Sequence, residues 1–131
     1  MKLRAAIFGL MATMPNILWA GCNYDLVTVS TWEITPIDDR TNLLRTHLGW
    51  QGDGIVRMID GSVEFKDVLG GRIASFALNR DEFHIPGRII VQEGRWGPHT
   101  FERLLDMNFD DVVTSVCVRG IVHDDGRVEQ F

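Results

Sequence analysis

The sequence predicts an all-β fold, namely an antiparallel immunoglobulin-like β-sandwich of about seven strands with one short helix. Apolar residues alternate with a period of two in several short segments, turn residues separate those segments, and no helical pattern recurs between them. A chain of 131 residues with 45% hydrophobic residues can build one core but is short for two ordinary domains. We therefore expect one sandwich domain at 21–131.

The organising element is a β-hairpin predicted at 55–79. Apolar and polar residues alternate along both of its arms, which is the pattern of half-buried strands. Gly70 and Gly71 between the arms supply the positive φ angles of a tight turn. The residues predicted to face the core are Ile59, Val63, Phe65, Ala74, Phe76 and Leu78.

Two strands are predicted before this hairpin. The first lies at 24–37, is rich in β-branched residues, and ends at Pro36 and the aspartates that follow it. Its alternation places Val27 and Val29 on one face and Leu26, Trp32 and Ile34 on the other. The second strand carries Leu44, Leu48 and Trp50 on its core face, and a Gly-Asp-Gly turn at 52–54 leads into the hairpin.

Beyond the hairpin, a short strand is predicted at 88–92 and ends by the Trp-Gly-Pro sequence at 96–98. Thr100 can then cap a brief helix in which Phe101, Leu104 and Leu105 form an apolar stripe against the sandwich.

The strongest strand signal lies at 112–122, where valines predominate, and it predicts a central strand. Its residues predicted to share one face are Val112, Val116, Val118 and Val122. An Asp-Asp-Gly turn at 124–126 leads into a short last strand at 127–131.

The first twenty residues have the order of a secretory signal peptide. Lys2 and Arg4 precede an apolar run at 5–14, and Ala20 is the small residue that signal peptidase recognises. The run is shorter than the roughly 20 apolar residues that span a bilayer. We expect a signal at 1–20, a periplasmic or secreted mature chain, and no membrane span after cleavage. A buried first helix or an uncleaved anchor is the alternative.

Two cysteines, Cys22 and Cys117, remain in the mature chain. In an oxidising compartment an even number of cysteines favours a disulfide between them. The alternative is a lipoprotein anchored at Cys22, because Ala20-Gly21-Cys22 fits the end of a lipoprotein box, although Trp19 stands where that box has Leu.

The charge of the mature chain bears on its partners. Removal of residues 1–20 leaves 11 basic and 18 acidic residues, a net charge of −7. We expect no nucleic acid partner, because phosphate binding needs a basic face. The acidic pairs at 38–39, 81–82, 110–111 and 124–125 belong to no Asp-x-Asp-x-Asp-Gly calcium loop and are placed in solvated turns.

No motif predicts a catalytic residue, a metal site or a cofactor. The histidines have no companion at zinc-binding spacing, so surface or turn positions are expected for His47, His84, His99 and His123. No Lys-Ser or Lys-Thr follows the glycine pairs as in a phosphate loop, and no serine lies in a Gly-x-Ser-x-Gly elbow.

The segment at 94–100 contains the candidate binding residues. Trp96 lies among glycines, beside Arg95 and close to His99. Loop aromatic residues of this kind contact sugar rings or partner proteins. The alternative is that Trp96 packs beneath the short helix as an outlying core residue.

Three short motifs resemble those of the FxLYD type of bacterial extracytoplasmic sandwich domain. They are Val63-Glu64-Phe65-Lys66-Asp67, Gly71-Arg72-Ile73 and Ile85-Pro86-Gly87, and the resemblance covers 43–122. Val63, Phe65 and Lys66 stand where the family has Phe, Leu and Tyr. The resemblance implies a sandwich fold and an envelope setting, and it carries no catalytic residues.

The sequence leads to two hypotheses about function. The first is a small secreted or periplasmic, non-enzymatic module that binds a protein or another envelope component through a loop end or an exposed edge strand. The alternative is an enzyme inhibitor or a small enzyme whose site is assembled from distant loops. A concave pocket with two or more convergent ionisable groups would discriminate between them.

Overall fold

A computed structural model describes residues 21–131, which form seven β-strands and two short 3₁₀ helices. The predicted signal segment at 1–20 lies outside the described residues. The strands are β1 (Val27–Asp38), β2 (Thr41–Trp50), β3 (Val56–Asp67), β4 (Arg72–Ala77), β5 (Ile89–Trp96), β6 (Val112–His123) and β7 (Val128–Gln130), and the helices span Glu102–Leu105 and Phe109–Asp111.

The strands form two antiparallel sheets. Sheet I has the order β1-β2-β5, and sheet II has the order β4-β3-β6-β7. This confirms the predicted β-sandwich, including the β3–β4 hairpin and the interior position of β6. The strand order differs from that of an immunoglobulin constant domain, in which the fourth strand lies beside the fifth. In this chain β4 pairs with β3.

The core fills the space between the sheets. Phe65 and Val63 of β3 are fully buried and Trp50 is buried, as the sequence predicted, and Trp32 is buried as well. An aromatic cluster occupies the half of the core near the β3–β4 turn, where the Phe65 and Phe101 ring centroids lie 5.6 Å apart. The periodicity of the hairpin therefore identified its core face correctly.

The predicted faces of β1 were wrong, because β1 contains a bulge. The register against β2 shifts between Val29 and Thr31, so one extra residue, Ser30, lies between two regular stretches. A single extra residue reverses the alternation. As a result, Val27 and Trp32 both face the core rather than opposite faces.

A second bulge has the same effect in β6. Asp60 pairs with Gly120 and Gly61 with Val118, which leaves Arg119 as the extra residue. Beyond it, Ile121 is buried instead of the predicted Val122.

The predicted end of the first strand, at residue 37, agrees with the structure within one residue. β1 continues through Pro36 to Asp38, because β1 is an edge strand and an edge position tolerates the missing N–H of proline.

The predicted helix after β5 differs from the structure in type and in cap. Two 3₁₀ helices replace it, and Phe101, not Thr100, is the N-cap of the first. Phe101 has a positive φ of 61°, is buried, and contacts the aromatic core from outside the helix. Leu104 is buried as predicted, whereas Leu105 is exposed because a 3₁₀ turn rotates it away from the sandwich.

Cys22 and Cys117 form the expected disulfide, with Cα atoms 4.8 Å apart. Next to it, Asn23 and Val118 exchange backbone hydrogen bonds of 2.9 and 3.1 Å. The start of the described chain is therefore held to the middle of β6 both covalently and by its backbone. Within residues 21–131, no helix is long and apolar enough to cross a membrane.

Candidate functional site

One end of the sandwich holds a cleft of about 630 Å³, which we call the end cleft. Its walls come from the segment before β1, from the β2–β3 turn and from the β6–β7 hairpin. The polar and aromatic residues that line it include Asn23, Asp25, Trp50, Asp53, His123, Arg127, Glu129 and Phe131. Because both sheets end here, side chains from three distant parts of the sequence converge.

Trp50 shapes the wall that the β2–β3 turn contributes. Its indole Nε1 donates a hydrogen bond of 2.8 Å to the carbonyl oxygen of Gly54. The backbone of Gly52 lies so close to the Trp50 ring that a Cβ atom at position 52 would clash with the indole. The Gly-Asp-Gly sequence thus lets the turn fold over the indole, and this leaves Asp53 exposed at the rim of the end cleft.

A hydrogen-bonded pair of ionisable groups lies in the end cleft. His123 Nε2 and Glu129 Oε1 are 2.6 Å apart, and the side chain of His123 is only 14% exposed. The β6–β7 hairpin positions the pair, since His123 N donates to Arg127 O and Gly126 adopts a φ of 95° in the turn. A histidine held by a carboxylate is suited to accepting, donating or orienting a proton of a bound molecule.

Negative charge predominates around the end cleft. Asp25, Asp53 and Glu129 line it, against a single arginine, Arg127. The adjoining turn adds Asp125, whose carboxylate accepts a hydrogen bond of 3.0 Å from the backbone N–H of Arg127. That hydrogen bond is the main cause that lowers the pKa of Asp125, so this carboxylate remains ionised in neutral solution. The surroundings favour a ligand with cationic or hydrogen-bond-donating groups.

His84 packs behind Trp50, on the side away from the end cleft, and is 2% exposed. Its ring centroid is 5.9 Å from that of Trp50, and neither ring nitrogen has a hydrogen-bond partner among the described residues. Two backbone hydrogen bonds with Val56 hold the segment in place. The prediction of a surface or turn position was wrong for His84, because this backbone pairing draws the side chain into the core.

Burial lowers the pKa of His84, and the charge of Glu82 opposes this only in part. The unfolded chain therefore takes up a proton at a higher pH than the folded protein does. His84 leaves stability unchanged above its ordinary pKa of 6.5 and reduces stability as the pH falls below that value.

The sequence-predicted binding residues lie away from the end cleft. Trp96 ends β5, and its ring packs on Phe76 and Phe101 with centroid distances of 6.1 and 5.2 Å. Arg95 and Trp96 border a second cleft of about 360 Å³, between the edges of the two sheets. His99 does not line this second cleft. Its side chain is highly exposed, with Nδ1 3.2 Å from Oε2 of Glu102. A binding role for these three residues stays a prediction.

Metal and thiol chemistry find no support in the described part of the chain. Within 21–131, no group of three or more His, Cys, Asp or Glu side chains is arranged to hold a metal ion. Both cysteines are in the disulfide. Of the histidine–carboxylate pairs in the described chain, His123–Glu129 has the shortest distance and the most buried histidine.

Sequence reasoning did not identify His123 and Glu129 as a pair. The available signal was the Asp-Asp-Gly turn at 124–126, which closes a hairpin and brings the residues on both sides of it together. The contribution of Trp50 and Asp53 from the other sheet has no signal in the sequence.

The chain matches no protein-family model, no curated protein and no solved structure.

Proposed function

We propose that the chain is a secreted or periplasmic, non-enzymatic binding module of the bacterial cell envelope, and that its partner binds in the end cleft. The observation that carries the proposal is the convergence of Asp53, His123, Arg127 and Glu129 on one concave site. Concave sites with a few convergent polar groups are the usual places for ligands.

Two features support the extracytoplasmic location. The Cys22–Cys117 disulfide is a bond that persists in oxidising compartments and is rare in the cytosol. The basic, apolar and small-residue order of 1–20 supplies an export signal. The resemblance of 43–122 to FxLYD-type domains points to the same setting.

The charge of the end cleft indicates the kind of partner. Three carboxylates and one guanidinium line it, so a lysine, arginine or amine group of an envelope protein or ligand complements it better than an anion does. The aromatic and apolar residues beside them, Trp50 and Phe131, provide contact area next to the polar groups.

A small enzyme is the second candidate function, and the His123–Glu129 pair favours it. Such a pair supplies general acid and base catalysis when a substrate proton lies within hydrogen-bond reach. Ser, Thr, Cys and Lys are not among the residues that line the end cleft. An enzyme of this kind would therefore act through water or by moving a proton of its substrate.

Site-specific crosslinking tests the binding proposal. A photoreactive amino acid replaces Asp53 at the rim of the end cleft, and in a control it replaces Arg40, which lies in the β1–β2 turn at the opposite end. We expect a discrete envelope adduct from position 53 and none from position 40. Equal adducts from both positions, or none from either, would contradict a partner site in the end cleft.

The variant Glu129→Gln separates the two candidate functions. In a binding module it removes one cleft charge and weakens capture of the identified partner, and the partner is recovered chemically unchanged. In an enzyme it leaves the bound molecule in place but stops its conversion, so mass spectrometry of the ligand before and after incubation distinguishes them.

A further inference from the structure

The four edge strands of the sandwich differ in how they are protected against pairing with another chain. Unpaired backbone N–H and C=O groups on an edge strand can bind a further strand, and proteins block this with bulges, prolines, lysines or very short edges. β1 has bulges and contains Pro36, and β7 has only three residues. Both edges are therefore poor templates.

The edge of β4 is covered where it ends. The side chain of Gln92 donates a hydrogen bond of 2.9 Å to the carbonyl oxygen of Ala77 and accepts one of 3.0 Å from the N–H of Asn79. These contacts occupy one backbone group of the last residue of β4 and one of Asn79 just beyond it. They also fix β5, which carries Gln92, against sheet II.

The edge of β5 has none of these protections. It is eight residues long, its register against β2 is unbroken, and it contains neither proline nor lysine. Two apolar side chains on its outer face are substantially exposed, Ile89 by 53% and Val91 by 44%. An unbroken edge that carries none of these protections can accept another extended strand.

We propose that β5 pairs with β5 of a second copy of this chain, antiparallel about a twofold axis through Gly94. The outer face of β5 carries Glu93 and Arg95 on either side of that axis, and both are exposed. In this register Glu93 of each copy lies opposite Arg95 of the other. Sheet I of one copy and sheet I of the other then form one six-stranded sheet.

The charges select this register over its neighbours. An axis through Glu93 would place two carboxylates opposite each other, and an axis through Arg95 would do the same with two guanidinium groups. Gly94 has no side chain at the axis, and the Trp96 indole of its own chain packs against it. Within one copy, Glu93 also forms a salt bridge with Arg45 of the adjacent strand β2. This salt bridge holds the Glu93 carboxylate on the outer face.

The expected dimer is weak and depends on concentration. In this register residues 92–96 of each copy overlap within β5, five per strand, and Ile89 and Val91 lie outside the overlap, so the buried area is below that of a standard specific interface. Sedimentation equilibrium of the exported protein between about 10 μM and 1 mM should therefore show a shift from the mass of one chain toward that of two.

Charge exchange tests the interface and the register together. Arg95→Glu alone leaves only carboxylates at the paired positions, and Glu93→Arg alone leaves only guanidinium groups, so each variant should remain monomeric. An equimolar mixture of the two should dimerise again, because each variant then meets the opposite charge. Arg88→Glu is the matched control, since it makes the same charge change outside the overlap and should dimerise like the wild type.

A wild-type protein that stays monomeric up to about 1 mM would overturn the proposal. So would single variants that dimerise unchanged, or a mixture that does not recover the dimer. Glu93 and Arg95 are surface residues, so the variants should fold, and circular dichroism checks this.

Hydrogen exchange on the wild type gives an independent readout. Amides of β5, but not those of β1, should become more protected as the protein concentration rises. Equal protection of both edge strands would also refute the proposal.

Discussion

Removal of the Cys22–Cys117 disulfide should strongly destabilise the domain. The bond joins residues 95 positions apart, so it closes a loop of almost the whole described chain. Chain-entropy arithmetic gives about 4.7 kcal/mol for a loop of that length, which is an upper value because residual structure in the unfolded chain reduces it. A small domain has only about 5–15 kcal/mol of net stability.

The structure explains why little would replace the bond. After Cys22→Ser and Cys117→Ser, the backbone pair between Asn23 and Val118 still holds the segment before β1 on β6. That pair consists of two hydrogen bonds, each of which contributes only about 1 kcal/mol of net stability. We expect a loss of about 2–4.7 kcal/mol, because the two hydrogen bonds recover only part of the constraint.

Urea unfolding of the exported protein measures this loss in three samples: the oxidised wild type, the reduced wild type and the double serine variant. Reductant should destabilise the wild type to the level of the variant and should not affect the variant itself. Thiol titration under denaturing conditions should find no free thiol in the unreduced wild type. Two titratable thiols, or a loss below about 0.5 kcal/mol, would refute the reasoning.

Three further predictions concern processing, pH dependence and the core. Intact-mass spectrometry of the exported protein should give a chain that begins at Gly21, and a diacylglycerol mass on Cys22 would instead establish the lipoprotein alternative. The free energy of unfolding should fall as pH decreases below about 6.5, and His84→Leu should flatten that dependence; an unchanged slope would show that another group causes it. Phe65→Ala and Val116→Ala should each cost about 2–4 kcal/mol in urea unfolding, and losses below about 0.5 kcal/mol at both would contradict their burial.

The local pattern determined the positions of most strands and the core face of the hairpin. Alternation in β3 and the valines of β6 identified Phe65 and Val116 as core residues, because a regular strand turns successive side chains to opposite faces. The two cysteines likewise predicted their disulfide, since a chain with only two cysteines offers one intramolecular pairing.

Tertiary pairing alone decided where the alternation reverses. The extra residues Ser30 and Arg119 are defined by the register of the neighbouring strand, and nothing in the local sequence identifies them as bulges. The same is true of His84, whose burial depends on backbone hydrogen bonds to Val56. A period of two predicts faces only as far as the first bulge.

The candidate site was also decided by the tertiary structure. Trp50 and Asp53 come from the end of one sheet and His123 and Glu129 from the other, about 70 residues later in the chain. Their convergence depends on how the two sheets pack, which local alternation does not contain. The sequence by itself determined the sandwich, its central strands and the disulfide, because these follow from local periodicity and thiol chemistry. The end cleft follows from the packing of strands that are distant in sequence.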